Sequence, residues 1–251
     1  MNYNEKNFRE YKFMAMRRSG HHSIMFWIMK QLKGSITYRN HINCRDDWLQ
    51  NIKSFSLIPL NCAHYKQLLK LKIQFVDNGI NYVYNLEDEF NSGFSFEHGK
   101  LYNIFILRNV FNHFAAYLYY QSGKNGYKHA DRFFKVYKEM YNKAKYHKID
   151  IILYDEWLNK KDYRKKISNR LDLDFNDSGF QIPATRSSFV KDLSIMQEDI
   201  KNKKMLHRWK LLEEDKEYIK ILSFHKDCID ITLENFTIDN ELMLFIQNNF
   251  N

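Results

Sequence analysis

The 251-residue sequence predicts an α/β fold: a three-layer sandwich with a mainly parallel central sheet flanked by helices. Three observations predict it. Short β-rich runs alternate with helical patterns along the chain. Two of those runs, Ile104-Phe105-Ile106-Leu107 and Ile151-Ile152-Leu153, are continuously apolar, as in strands covered on both faces. With two prolines and eight glycines there is no Gly/Ser/Pro-rich linker, and no internal repeat is visible. One domain over residues 1–251 is therefore expected.

The elements follow in order. Residues 11–16 read as a first strand, and residues 24–32 are apolar and helix-compatible. Further strands are expected at 35–38, 82–86, 103–107 and 150–154. The clearest helix is 131–145. Its apolar residues Phe133, Val136, Tyr137, Met140, Tyr141 and Ala144 recur at helical spacing, with Asp131 expected as the N-cap. Residues 161–171 and 215–225 also read as helices.

Bulk composition narrows the partners. The formal net charge is +9 and the pI is about 9.2, a balance that favours anionic partners. Nucleotides, nucleic acid, acidic glycans and anionic membrane surfaces all qualify. A Lys- and Asn-rich composition also raises the pI without any ligand. Cys44, Cys62 and Cys228 are far apart and lack CxxC spacing, which indicates neither a disulfide framework nor a zinc site. The N-terminal residues are polar, and no run of 18 apolar residues occurs. A cytoplasmic chain without a transmembrane segment is expected, with peripheral membrane contact left open.

The segment Arg17-Arg18-Ser19-Gly20-His21-His22-Ser23 joins the first strand to the first helix. Such a junction aims backbone N–H groups and the positive end of a helix dipole at one point, which suits an anion. Gly20 permits close backbone approach. Arg17 and Arg18 add charge, and Ser19 and Ser23 add hydroxyls. The Walker pattern GxxxxGK[ST] is absent, so ordinary NTP hydrolysis is poorly supported.

With an apolar helix behind it, RRSGHH resembles the 5′-phosphosulfate loop of the sulfotransferases, which use 3′-phosphoadenosine-5′-phosphosulfate (PAPS). Arg18, Ser19 and Gly20 match the family pattern [KR]-S-G-[TS]-T. His21 and His22 replace its hydroxyl residues, as in a bacterial subgroup reading RRSGHH. A second block, a strand ending in Arg108-Asn109-Val110, resembles the 3′-phosphate motif. Arg108 matches, while Val110 and Ala116 replace the family's proline and serine. A guanidinium fork at the end of a sheet strand suits a phosphate. In a third block, a strand ending in Tyr154 with the later turn Leu171-Asp172-Leu173-Asp174-Phe175, the tyrosine corresponds to one that lies near the adenine. The [TS]-S-F segment corresponds to Arg186-Ser187-Ser188-Phe189, where Ser187, Ser188 and Phe189 would contact the nucleotide. Arg208, in Arg208-Trp209-Lys210, resembles a basic segment reaching the 3′-phosphate.

The resemblance implies a P-loop-like sandwich and transfer of a sulfuryl group from PAPS, with PAP as product and no obligatory metal. The acceptor would be a hydroxyl or amine, by family analogy a carbohydrate or glycolipid. Arg18 would stabilise the leaving phosphate. Glu87 is the first candidate for the general base, then Asp88, with His22 and His64 as alternatives. Two other readings stand beside it. One is a P-loop-like nucleotide kinase. The other is a catalytically degenerate protein that binds nucleic acid or another anion.

Overall fold

A computed structural model describes residues 8–34, 36–39, 81–88, 99–121, 124–178 and 204–250. Five parallel strands form one sheet in the order β2-β3-β1-β4-β5: β1 (Phe8–Ala15), β2 (Ile36–Arg39), β3 (Asn81–Glu87), β4 (Gly99–Leu107) and β5 (Asp150–Leu153). Central β1 pairs with β3 on one side and β4 on the other, in a register that sets Ala15 level with Glu87 and Ile106.

Both faces of β1 are buried, which explains its lack of apolar alternation. Tyr11, Phe13 and Ala15 pack into a layer with α1 (His21–Met29), α5 (Tyr154–Asn159) and α6 (Lys161–Arg170). Met14 faces the opposite layer, made by α2 (Val110–Tyr120), α4 (Ala130–Tyr146), α7 (Lys216–Phe224), α8 (Lys226–Asn235) and α9 (Asn240–Phe250). The short α3 (Lys124–Tyr127) links α2 to α4, and two 3-10 turns, Lys204–Leu206 and Arg208–Leu212, precede α7. The α/β three-layer sandwich with a parallel sheet is thus the observed architecture.

Aromatic packing fixes each layer on the sheet. Trp27 of α1 and Trp157 of α5 are fully buried and meet edge to face at 5.9 Å, a geometry worth about 1 kcal/mol beyond burial. In the other layer Phe114 stacks on Tyr218 at 5.6 Å and tilts against Phe134 at 4.7 Å. The periodic residues of α4 point inward as its spacing demands: Phe133, Tyr137, Met140, Tyr141 and Ala144 are buried.

Some boundaries differ from expectation. The first helix begins at His21, not Ile24, because Gly20 turns the chain in the left-handed region (φ 87°) and both histidines join the first turn. Asp131 is not the N-cap of α4. His129 occupies that position, and Asp131 sits two residues on, within the first turn, where its charge still favours the positive helix end. Tyr154 opens α5 instead of closing β5, because the chain turns there to bring the Asp155 carboxylate to the Asn109 N–H at 3.0 Å.

Candidate functional site

The order β2-β3-β1-β4-β5 places a topological switch between β1 and β4. From β1 the chain passes to α1 on one face, and from β4 to α2 on the other. The crevice at the carboxyl ends of such diverging strands is where open α/β sheets bind ligands. The loop 16–20, Glu87–Asp88, Arg108–Asn109 and Tyr154 all lie along that edge.

The loop is held from inside. Ser19 is completely buried, and its backbone N–H bonds to the Met16 carbonyl at 3.2 Å. Its hydroxyl meets Nδ1 of buried His21 at 3.1 Å, while Asn85 Nδ2 lies 3.2 Å from His21 Nε2. With the Asn85 amide donating, His21 carries its proton on Nδ1 and donates to Ser19. Ser19 and His21 therefore fasten the loop to β3. His22 tilts against His21 at 4.0 Å and is half-buried.

Gly20 is required twice. Its φ of 87° is strained for any side chain, and a Cβ there would lie 2.2 Å from Tyr154 Cε2. The close approach that this glycine permits is thus to the Tyr154 ring. Behind Gly20, α1 starts with no side-chain cap and no acidic residue in its first turn. The positive end of its dipole is not offset by a protein carboxylate of its own.

The two loop arginines diverge. Arg18 is itself left-handed (φ 67°), and its guanidinium lies 3.6 Å from the Tyr120 ring centroid. Burial lowers its pKa, and the nearby Glu87 charge acts in the opposite direction. Arg17 turns to Asp88 instead. Its Nε pairs with Asp88 Oδ2 at 2.9 Å, and its backbone N–H donates to Oδ1 at 2.8 Å. Burial raises the Asp88 pKa, with the Arg17 N–H and charge opposing.

Arg108 is only 2% exposed. Nη1 donates to the Arg18 carbonyl at 3.0 Å and Nη2 to the Met205 carbonyl at 2.7 Å, while the guanidinium carbon lies 5.0 Å from the Tyr154 ring centroid. Nε is buried with no hydrogen-bond partner. Its charge faces Asp155, whose pKa burial raises and Arg108 lowers. Arg108 thus fixes the frame of the site as well as its charge. Half-buried Arg208 also acts electrostatically on Tyr154, whose pKa burial raises.

Several contributors escaped sequence reasoning. His113 is buried, and its Nε2 donates to the Arg17 carbonyl at 2.7 Å. Burial drives its pKa down to about 3, so it is neutral in solution near pH 7. Asn112 Nδ2 donates to the Leu206 carbonyl at 2.7 Å, and Oδ1 accepts the Arg208 N–H at 2.9 Å. Together these side chains tie the loop and the 204–208 turn to the start of α2. The available signal was a pair of polar residues, Asn112-His113, inside an apolar helix, and likewise Asn85 inside an apolar strand.

Other expected residues lie elsewhere. Ser187, Ser188, Phe189 and His64 fall outside the described residues. Ala116 is fully buried in α2. The turn Leu171–Phe175 sits at the opposite, amino-terminal edge of the sheet, where Asp172 accepts the Tyr102 hydroxyl at 2.6 Å and its carbonyl accepts Arg9 Nη1 at 2.9 Å. Among the described residues no group of three or more His, Cys, Asp or Glu could hold a metal ion, and no helix is long and apolar enough to cross a membrane.

Fold and site define a parallel three-layer α/β protein with a cationic strand–loop–helix turn at its switch point. Among solved structures it is similar to mouse sulfotransferase SULT7A1 complexed with PAP, at 14% identity and a TM-score of 0.45, over 93% of this chain and 90% of that one. No family model and no curated protein matches the sequence.

Proposed function

We propose that this protein transfers a sulfuryl group from PAPS to a hydroxyl or amine acceptor. One observation carries the reading: the uncapped start of α1, Arg18, Arg108 and the Glu87 carboxylate meet at one switch point, on the loop whose sequence resembles the 5′-phosphosulfate motif. The donor supplies an already activated sulfuryl group, so the chain has to bind, orient and neutralise charge.

The residues present fit such a nucleotide. The N–H groups from Gly20 to Ser23 would hold the 5′-phosphate, and Arg18 would neutralise charge on the leaving group. Arg108 and Arg208 would serve the 3′-phosphate. Two of the five Arg108 N–H donors serve carbonyls, which leaves the orphaned Nε–H and one N–H on each Nη for it. Tyr154 would flank the adenine, with Ser187, Ser188 and Phe189 adding contacts. Ser19 and His21 act by holding the loop.

Glu87 is the proposed general base and would take the acceptor proton on its carboxylate. It is half-buried beside Arg18 at the end of β3. Asp88 is the weaker candidate because both its oxygens are engaged by Arg17. A second reading, an anion-binding protein without turnover, is favoured by one fact: each Nη of Arg108 already gives one N–H to a main-chain carbonyl.

Calorimetry with PAP and with ATP–Mg²⁺ tests the binding half. PAP should bind and ATP–Mg²⁺ should not. The reverse result would support the kinase reading and end this one. Sulfate transfer from radiolabelled PAPS to a panel of hydroxylated acceptors tests the chemistry. Glu87→Gln should keep PAP affinity and lose at least tenfold in turnover. Undiminished turnover would remove Glu87 as the base, and PAP binding without any turnover would favour the non-catalytic reading.

A further inference from the structure

Beside the loop, between the end of β3, the last turns of α2 and the start of α4, lies a cleft of about 200 Å³. It is separate from the Ser19–His21–Asn85 cluster. Its polar lining is Arg17, Asp88, Tyr117, Gln121, His129 and Arg132, with Met16 and Phe133 among the apolar walls. Ligand pockets for drug-sized molecules run from roughly 300 Å³ upward, so this one suits a single ring.

Its charges are unevenly satisfied. Asp88 is taken by Arg17, in a pair that offsets both charges. Arg132 lines the same cleft, is exposed, and makes no hydrogen bond or ion pair with the described residues, although its charge reaches Asp88 and Tyr117. Among the described residues nothing acidic besides Asp88 lines the cleft. One positive charge is therefore left over beside a paired one. A guanidinium fork presented to a cleft matches a carboxylate or sulfate. The side chains of Gln121, Tyr117 and His129 supply hydrogen-bonding groups for hydroxyls.

We infer that this cleft binds the acceptor, and that the acceptor is a single hydroxylated ring carrying an anionic group, as in an acidic sugar residue, with Arg132 reading the anion. The inference rests on the transferase reading for the word acceptor. The binding of a hydroxylated acid at Arg132 stands on the cleft alone. Such an acid is a free monosaccharide or the end of a polymer, with the same chemistry at Arg132. Arg17 and Asp88, which line the cleft, are the chain neighbours of Arg18 and Glu87, so the cleft adjoins the proposed transfer site.

The test is a ligand-observed NMR titration of the full chain, with and without saturating PAP. The probes are D-glucuronate, D-glucose and a short oligosaccharide ending in glucuronate. Glucuronate should bind at least tenfold more tightly than glucose. Arg132→Gln should erase that preference and leave PAP affinity unchanged, and Arg132→Lys should restore part of it. A stronger oligosaccharide signal with the same Arg132 dependence identifies the polymer end as the source, and equal signals identify the monosaccharide. Equal binding of glucose and glucuronate, or an Arg132→Gln protein that keeps the preference, overturns the inference. If PAP binds and the acids do not, the cleft assignment fails while the transferase reading stands. If the acids bind through Arg132 and PAP does not, the transferase reading fails while the anion site stands.

Discussion

Arg18 and Arg108 stand at the ends of neighbouring strands and touch through one hydrogen bond, yet they are used in different ways. Arg18 lies half-buried over Tyr120 with its guanidinium among side chains. Only its carbonyl takes part in the frame, as an acceptor for Arg108. Arg108 is buried, and two of its nitrogens are spent on main-chain carbonyls that belong to different segments. The first is a charge offered to the crevice. The second joins β4, the loop after β1 and the turn at Met205. In a sequence the two residues look alike, since each is an arginine following a strand. The difference is set by where the partners of each come from, and those partners lie 90 and 97 residues away for Arg108.

That contrast can be broken by experiment. The largest effect should follow Arg108→Ala, which removes the buried positive charge facing half-buried Asp155 and frees two carbonyls. Urea unfolding should show a loss of roughly 3–5 kcal/mol, and Arg108→Lys should not restore it because an ammonium lacks the fork. A loss below about 1 kcal/mol would show that Arg108 is not part of the frame.

Next comes His113, which holds the Arg17 carbonyl from below. Its folded pKa is lowered to about 3 by burial, below the ordinary 6.5. Between those values the unfolded chain binds the proton and the folded one does not. Stability should therefore be fully present above pH 6.5 and fall as pH drops toward 3, by about 1.4 kcal/mol per unit from this group. Unfolding free energies at a series of pH values, compared with His113→Gln, isolate the slope. An unchanged slope in the variant would mean that other groups produce it.

Gly20→Ala should cost about 2 kcal/mol through strain at a left-handed position and collision with Tyr154. Thermal denaturation reads it directly. Smallest in stability is Arg18→Ala, which removes a half-buried contact with the Tyr120 ring worth about 0.5–1 kcal/mol and the attraction to Glu87. Its effect belongs to binding, and PAP affinity should fall at least tenfold by calorimetry. If Arg18→Ala unfolds the protein while Arg108→Ala leaves it intact, the two roles are reversed.

Much of the frame was legible in the sequence, for physical reasons. The ends of β4 and β5 are short continuous apolar runs, as strands covered on both faces demand, whereas central β1 also buries Glu10 and Lys12. The helix over 131–145 was clear because its apolar stripe is regular. The loop was visible because Arg17-Arg18-Ser19-Gly20 cannot continue a strand. What the loop residues do was not legible. Ser19 and His21 read as ligand donors, whereas burial turns them toward Asn85. Arg17 read as a partner of Arg18, whereas Asp88 draws it into a separate cleft. These outcomes depend on contacts across 64 and 71 residues, which local pattern does not encode. Arg132 was hidden within the charged face of α4, where a solvated arginine and one lining a cleft have the same spacing.

The meeting of Gly20 and Tyr154 also constrains how this loop can change over generations. Position 20 is barred to other residues by two independent locks, one steric and one torsional. Shrinking Tyr154 opens the first and leaves the second, so no single replacement elsewhere makes a side chain at 20 acceptable. Replacing Tyr154, in turn, removes the aromatic face beneath the Arg108 guanidinium. Position 20 should therefore stay glycine, while any change at Tyr154 should be coupled to one at Arg108.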